Sequence, residues 1–314
     1  MMIETPAFLD TSRPDVPDLV VSRGVIPFHL AGSPVRGRLI RLGPLADALL
    51  SRHDAPQAAL ALAGKALTLI AGMSTALKFQ GSYSLQIKGD GPVSQLVADC
   101  TERGDLRVYL RAEGEAPSSA PDAALVGAGY LAFTLDQGAE TERHQGIVAI
   151  TGESLAEMAM HYYETSEQHP CWIALHAARR DEGWQAGGLV IERIAGEGGL
   201  TPAADAAQAE DDWATARILA ATVTQDEILD PALDGMTLIN RLFGTMDPRI
   251  DRPRALAFGC RCSRARLSAL LATFPRDDLD HMAEEGTIVM TCEFCNVHFR
   301  FSRDEVAGAP GPAA

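Results

Sequence analysis

Apolar and polar positions alternate along some stretches of this chain and recur at helical spacing along others, and the changes of period divide it into elements. Residues 25–42 alternate around Val35, Leu39 and Leu42, which predicts strands. A helical stretch follows from about Leu45 to Leu77, with a break near His53–Pro56, where Pro56 suits the start of a second helix. Next comes a β-meander. Leu85 and Ile87 alternate with polar residues, residues 89–92 turn the chain, Leu96, Ala98 and Cys100 share one face, and Leu106, Val108 and Leu110 follow. Residues 129–135 and 146–150 extend the sheet. Ser154 with Glu157 forms a capping box that opens an amphipathic helix through Leu155, Met158, Ala159 and Tyr162. Residues 171–177 and 187–194 are the last strands of this region.

At Ala195 the composition shifts to Ala, Gly, Pro and acidic residues as far as Asp212, as at a domain boundary. A helical apolar pattern resumes through Trp213, Ile218, Leu219, Ile228, Leu229, Leu238 and Ile239, interrupted by Pro231 and Gly235, which predicts a helical linker of marginal stability. The expected organisation is therefore α+β. An N-terminal extension (1–23) precedes a sheet domain with packed helices (24–194), a metastable helical linker (195–250), a small C-terminal unit (251–306) and a disordered tail (307–314).

Charge and cysteine usage narrow the function. The 314 residues carry a formal net charge of −15, which argues against broad nucleic-acid binding, because that requires Lys and Arg to neutralise phosphates. No basic, apolar leader opens the chain, so a cytoplasmic protein is expected. The most apolar stretch, residues 58–77, is rich in Ala and Gly and interrupted by Lys65, so it reads as a buried helix and no membrane partner is expected. The Gly127–Ala132 segment fits a loose dinucleotide fingerprint, but its glycines open a strand instead of a helix. There is no phosphate-binding G-x-x-x-x-G-K-[ST] loop, so use of ATP is not expected.

The chemistry concentrates in four thiols. Cys260 and Cys262 form a C-x-C pair, and Cys292 and Cys295 form a C-x-x-C pair 29 residues further on. Four soft thiolates on two short knuckles are the ligand set that tetrahedral zinc prefers, so one zinc per chain is expected in the reduced state. His281 and His298 are weaker candidates, since four thiolates already complete the shell. Arg252, Arg254, Arg261, Arg264 and Arg266 flank the first pair, and such positive charge favours thiolates. Each pair is close enough to close on itself under oxidation, so a redox-responsive centre stands beside a permanently structural zinc. Cys100 and Cys171 read as buried, inert thiols. Residues 251–305 hold eight Arg and nine acidic residues, no footprint for a zinc ribbon that reads nucleic acid. A thiol–disulfide enzyme is disfavoured because the C-x-x-C does not open a helix after a thioredoxin-like strand.

The stretches Phe258–Arg266, Leu279–Gly286 and Cys292–Phe301 together resemble the zinc unit of the redox-regulated chaperones of the heat-shock protein 33 family, and residues 77–93, 145–168 and 186–194 resemble that family's core. The likeness runs from about Gly24 to Val306. Ala265 stands where an acidic residue is common in the family, and Phe299 where Tyr is frequent. The resemblance implies a non-enzymatic, ATP-independent holdase. Its zinc ligands fall on Cys260, Cys262, Cys292 and Cys295, and oxidation forms two disulfides, releases zinc and unfolds the linker. Short loop closure makes Cys260–Cys262 and Cys292–Cys295 the expected pairs. The expected partners are unfolding client proteins and, after oxidation, a second copy of the chain. The client surface is expected to include Trp213, Ile218, Leu219, Ile228 and Leu229.

Overall fold

The computed structural model describes residues 19–75, 79–114, 117, 120–138, 141, 143–194 and 203–306. Residues 1–18 of the expected extension (1–23), the start of the linker (195–202) and the tail (307–314) lie outside the described residues. The chain divides into two compact units, residues 18–259 and a smaller one of which residues 260–306 are described.

The larger unit opens with the antiparallel pair β1 (Val20–Leu30) and β2 (Val35–Arg41). Helices α1 (Pro44–Leu50) and α2 (Gln57–Ser74) follow, with Pro56 immediately before the second. Strands β3 (Ser82–Gly89), β4 (Val93–Thr101) and β5 (Asp105–Ala112) form the expected meander. A single helical turn, α3 (Asp122–Val126), carries no period long enough to read in sequence and leads into β6 (Gly129–Asp136) and β7 (His144–Ala149). A helix therefore precedes the Gly127–Ala132 segment and a strand follows it, the reverse of a dinucleotide-binding turn. Helix α4 (Leu155–Thr165) starts at the predicted capping box, with Ser154 Oγ accepting from Glu157 N–H and the Glu157 carboxylate accepting from Ser154 N–H. Strands β8 (Cys171–Arg180) and β9 (Gly183–Arg193) pair along their whole length.

Helices α5 (Ala203–Ala220), α6 (Gln225–Leu229) and α7 (Gly235–Phe243) come next, followed by β10 (Pro248–Ile250) and β11 (Arg254–Phe258). Helix α5 begins ten residues before the helical pattern predicted from Trp213, because its Ala-rich start has high helix propensity without an apolar stripe. The described strands of this unit form one sheet in the order β7-β6-β3-β4-β5-β11-β1-β2-β9-β8, with β10 added on β1. Strand β11 runs parallel to β5 and antiparallel to β1, so it joins the meander to the other half of the sheet. Residues 254–258, expected in the C-terminal unit, thus lie at the centre of the larger one. Val20 and Val21, expected in the extension, pair with Ala257 and Leu256.

Nearly every residue of α2 from Ala58 to Ser74 is buried. By length and composition this helix could cross a membrane, but 83% of its apolar window is buried inside the unit, as the sequence reading required. Among the described residues it is the only helix that passes that test.

The linker helices dock on the sheet. Ile26, Phe28 and Leu30 of β1, Val35 and Leu39 of β2, and Leu189 and Ile191 of β9 project to one face at the two-residue period of a strand. Helix α7 lays Leu238, Ile239, Leu242 and Phe243 on this face, with Phe243 and Phe28 ring centroids 5.3 Å apart. Pro231 and Gly235 do not interrupt one helix. They separate two capped ones, α6 with a Thr224/Glu227 capping box and α7 with Asp234 accepting from Thr237 N–H. Gly235 is also a docking contact, since a Cβ there would meet Ile26 Cδ1 at 2.6 Å. Gly187 likewise leaves room on β9 for Ile228, whose Cγ2 would lie 2.9 Å from an added Cβ. Arg41 at the end of β2 donates to the backbone carbonyls of Glu227 and Leu233, and Arg193 and Arg180 pair with Glu210 and Asp226.

In the smaller unit, helices α8 (Arg264–Leu271) and α9 (Arg276–Met282) precede the antiparallel hairpin β12 (Thr287–Thr291) and β13 (His298–Ser302). Its buried core is Leu271, Leu279, Ile288, Phe299, Phe301 and Val306. A core this small rarely sustains a fold without a staple.

Candidate metal centre

The C-x-C segment before α8 and the loop of a hairpin bring the four sulfurs together. Cys260 follows Gly259 at the end of β11, and Cys262 stands just before α8, where Ser263 caps the helix by accepting from Arg266 N–H. The helix N-terminus favours negative charge on that sulfur. Cys292 and Cys295 sit in the loop of the β12–β13 hairpin, whose last pair is Thr291 with His298. Cys292 O accepts from Cys295 N–H at 3.3 Å and from Asn296 N–H at 2.7 Å, and Asn296 takes φ +52°, a left-handed conformation that Asn tolerates better than most residues. The residue after the C-x-x-C is therefore part of the turn.

All four sulfurs lie within 4.8 Å of one another, with Cys260–Cys262 at 3.4 Å, Cys262–Cys295 at 3.5 Å and Cys260–Cys292 at 3.6 Å. A tetrahedron whose centre is about 2.3 Å from each corner, the zinc–thiolate length, has edges of about 3.8 Å. The donor set and its spacing thus fit a tetrahedral metal ion. Cys260 and Cys295 are buried and the other two half-buried. Without a cation four adjacent thiols cannot all ionise. The contact with Cys262 brings the Cys260 thiol down to about 7, and the contact with Cys260 pulls Cys292 lower still. Cys262 and Cys295 are pushed up, first by their contacts with the Cys260 sulfur. Loss of all four protons therefore needs a cation at the centre.

Neither histidine joins the sulfurs: His281 Nδ1 lies 2.6 Å from Asp277 O, and His298 Nδ1 lies 2.7 Å from Thr291 Oγ1. The flanking arginines are more committed than the sequence implied. Arg264 pairs with Glu305, donates to Arg300 O and stacks over Phe301 at 4.4 Å, while Arg254 donates to Thr75 O and Glu102 O in the larger unit.

Cys100 is buried in the sheet and Cys171 half-buried at the start of β8, and burial pushes both thiols up to about 12. A thiol with that pKa is almost wholly protonated at neutral pH and a poor nucleophile. In metal-stripped protein, whose small unit has lost its staple and exposes its four thiols while the sheet stays folded, iodoacetamide followed by peptide mass mapping is expected to label the four clustered cysteines at least about tenfold faster than Cys100 and Cys171. Comparable labelling of Cys100 would show that its pocket opens readily.

The expected client residues divide. Trp213, Ile228 and Leu229 are buried in the docking cluster and Leu219 packs partly against it, but Ile218 is 69% exposed. The stripe that α5 buries is Trp213, Ala216 and Ala220, so undocking would not newly uncover Ile218. Sequence reasoning passed over those alanines because they have little apolar bulk, although their i, i+3, i+7 spacing was the available signal.

A sheet domain with a docked helical segment, together with a second unit in which four cysteine sulfurs converge and could hold a metal ion, defines the class of protein. The family model "Hsp33 protein" matches residues 24–302, and the chain belongs to that chaperone family. It is 36% identical over 293 residues to the 33 kDa chaperonin of Caulobacter vibrioides (strain NA1000 / CB15N), covering 89% of this chain and 95% of the relative. To the 33 kDa chaperonin of Escherichia coli O7:K1 it is 31% identical over 274 residues, covering 87% of this chain and 90% of the relative. The fold matches the crystal structure of the 33 kDa chaperonin (heat shock protein 33 homolog) of Thermotoga maritima with a TM-score of 0.76 at 22% identity, over 90% of this chain and 96% of that one.

Proposed function

We propose that this chain is a redox-regulated, ATP-independent holdase of the cytoplasm that binds unfolding proteins under oxidative stress and heat. The convergence of four cysteine sulfurs within 4.8 Å, in a chain of the Hsp33 family, carries the reading. Cys260, Cys262, Cys292 and Cys295 would hold one zinc in the reduced state, and the ion would supply the charge that keeps all four as thiolates.

Oxidation acts on the sulfurs themselves. Each pair gives two electrons to one molecule of hydrogen peroxide: one S–S bond forms, the O–O bond breaks and two waters leave, their protons drawn from thiols or solvent. The reduced geometry brings sulfurs of different pairs as close as those within a pair, so loop closure, shortest within C-x-C and C-x-x-C, selects Cys260–Cys262 and Cys292–Cys295. A disulfide sulfur is no longer an anionic ligand. The small unit then loses its staple, the linker helices leave the sheet, and Trp213, Ile228 and Leu229 become exposed with the strand residues they covered. That apolar surface serves clients or a second copy of the chain.

Light scattering of a thermally unfolding client tests the reading, comparing reduced protein with protein treated with peroxide under mild heat, both without ATP. Suppression by the oxidised form alone is expected, together with released zinc and intrapair disulfides on peptide mapping. Retained zinc and no gain in suppression would make the centre a permanently structural module. A dominant Cys262–Cys292 bridge would overturn the pairing.

A further inference from the structure

The β1–β2 hairpin carries a second polar site, and nothing in the redox reading uses it. A cavity of about 430 Å³ is lined by Pro27, His29, Ser33, Arg36, Arg38 and Asp251, among others. Arg36 and Arg38 are two apart on β2 and therefore project to the same side, and their partners on β1 are His29 and Pro27. One strand face thus delivers two guanidiniums and an imidazole to one cavity, in a chain whose net charge is −15.

The donors there are incompletely used. Arg38 is buried, its side chain 7% exposed, and its Nη2 donates to Glu192 Oε1 at 2.5 Å. Burial alone would raise the Glu192 carboxyl, but the hydrogen bond with His169 and the charge of Arg38 outweigh it and hold it at about 2, so Glu192 stays ionised and keeps Nη2. Arg38 Nη1 and Ser33 Oγ are buried with no hydrogen-bond partner among the described residues. A buried donor left unmet is costly enough that such groups normally mark an ordered water or an ion. Arg36 is exposed and makes no ion pair among the described residues. Asp251 is the one acidic residue in the lining, with Oδ2 at 3.4 Å from His29 Nδ1.

Two unmet buried donors beside a spare guanidinium are matched by an acceptor with several oxygens in a small volume. We propose that this cavity binds a compact oxyanion, a phosphate or carboxylate group, through Arg38 Nη1 and Ser33 Oγ with Arg36 at the mouth. Lysine cannot replace Arg38 equivalently, because only the planar fork can serve Glu192 and the anion at once. The assignment is independent of the thiol centre and of client binding.

Titration calorimetry of the full reduced chain at constant ionic strength, with inorganic phosphate and separately with citrate, tests it. Saturable binding of one anion per chain is expected for at least one of them, and which one binds distinguishes a phosphate ligand from a carboxylate ligand. Arg36→Gln should weaken binding at least about tenfold. Arg38→Gln alone would strand the Glu192 charge and risk misfolding, so the double variant Arg38→Gln/Glu192→Gln, which removes the pair together, should weaken it as much. Arg111→Gln, an exposed arginine paired with Glu113 elsewhere on the sheet, should bind like the parent. Should the double variant not fold, Arg36→Gln and Ser33→Ala decide. Absence of saturable heat with both anions, or equal affinity in the parent and the folded cavity variants, overturns the proposal.

Discussion

Serine in place of any one of Cys260, Cys262, Cys292 or Cys295 should reduce bound zinc from about one per chain to near zero and unfold residues 260–306, while the sheet of the larger unit keeps its own melting transition. The described core of the small unit is six buried apolar side chains, too few to offset the ordering of its backbone. Thiolate coordination supplies on the order of 10 kcal/mol in comparable structural sites, more than the margin by which most domains are stable. A serine hydroxyl is a neutral, hard donor at pH 7, and three thiolates do not complete the tetrahedron the sulfurs define. Metal analysis and hydrogen exchange on the four single variants measure both effects. Full metal retention with native protection in one variant would remove that cysteine from the site.

Phe243→Ala should have the second largest effect: it should undock the linker and make the reduced protein suppress client aggregation without oxidant, with its zinc content unchanged. Phe243 is fully buried and packs against Phe28 at the centre of the docking face, where truncation of a Phe removes about 3–5 kcal/mol. The part of the docking surface that α5 supplies is thin. Helix α5 is anchored by Trp213, two alanines and the partly buried Leu219, and its ion pair Arg193–Glu210 is partly exposed to solvent, which limits its contribution to about 1 kcal/mol. Protection of the amides in α5–α7 should fall at least about a hundredfold, the equivalent of roughly 3 kcal/mol. If protection falls and aggregation is still not suppressed, the sheet face under α7 is not where clients bind.

Much of the α+β architecture was legible along the chain because its signals are local. The Ser154–Glu157 box, the two-residue alternation of β3 to β5 and the apolar run of α2 each lie within one element and appear where the pattern puts them. The thiol cluster was legible for the same reason. A C-x-C and a C-x-x-C each fix two ligands within a single turn, so only one long-range approach remained to be made.

What tertiary structure alone decided are the contacts between residues far apart in sequence. Strand β11 reads as a five-residue preface to the cysteines, yet it lies between β5 and β1, pairing Phe258 with Leu106 and Ala257 with Val20. Strand pairing is chosen by backbone hydrogen bonds that no side-chain period records. The linker's buried side was likewise hidden. The bulk of Ile218 points outward while Ala216 and Ala220 face the sheet, and Gly235, which reads as a helix breaker, is a close approach to Ile26. Sequence determined that α2 and α4 are helical and which four residues can hold a metal, since those depend on spacing within a few residues. The face each linker helix buries, and the strand beside which β11 lies, depend on surfaces brought together only when the whole sheet has formed.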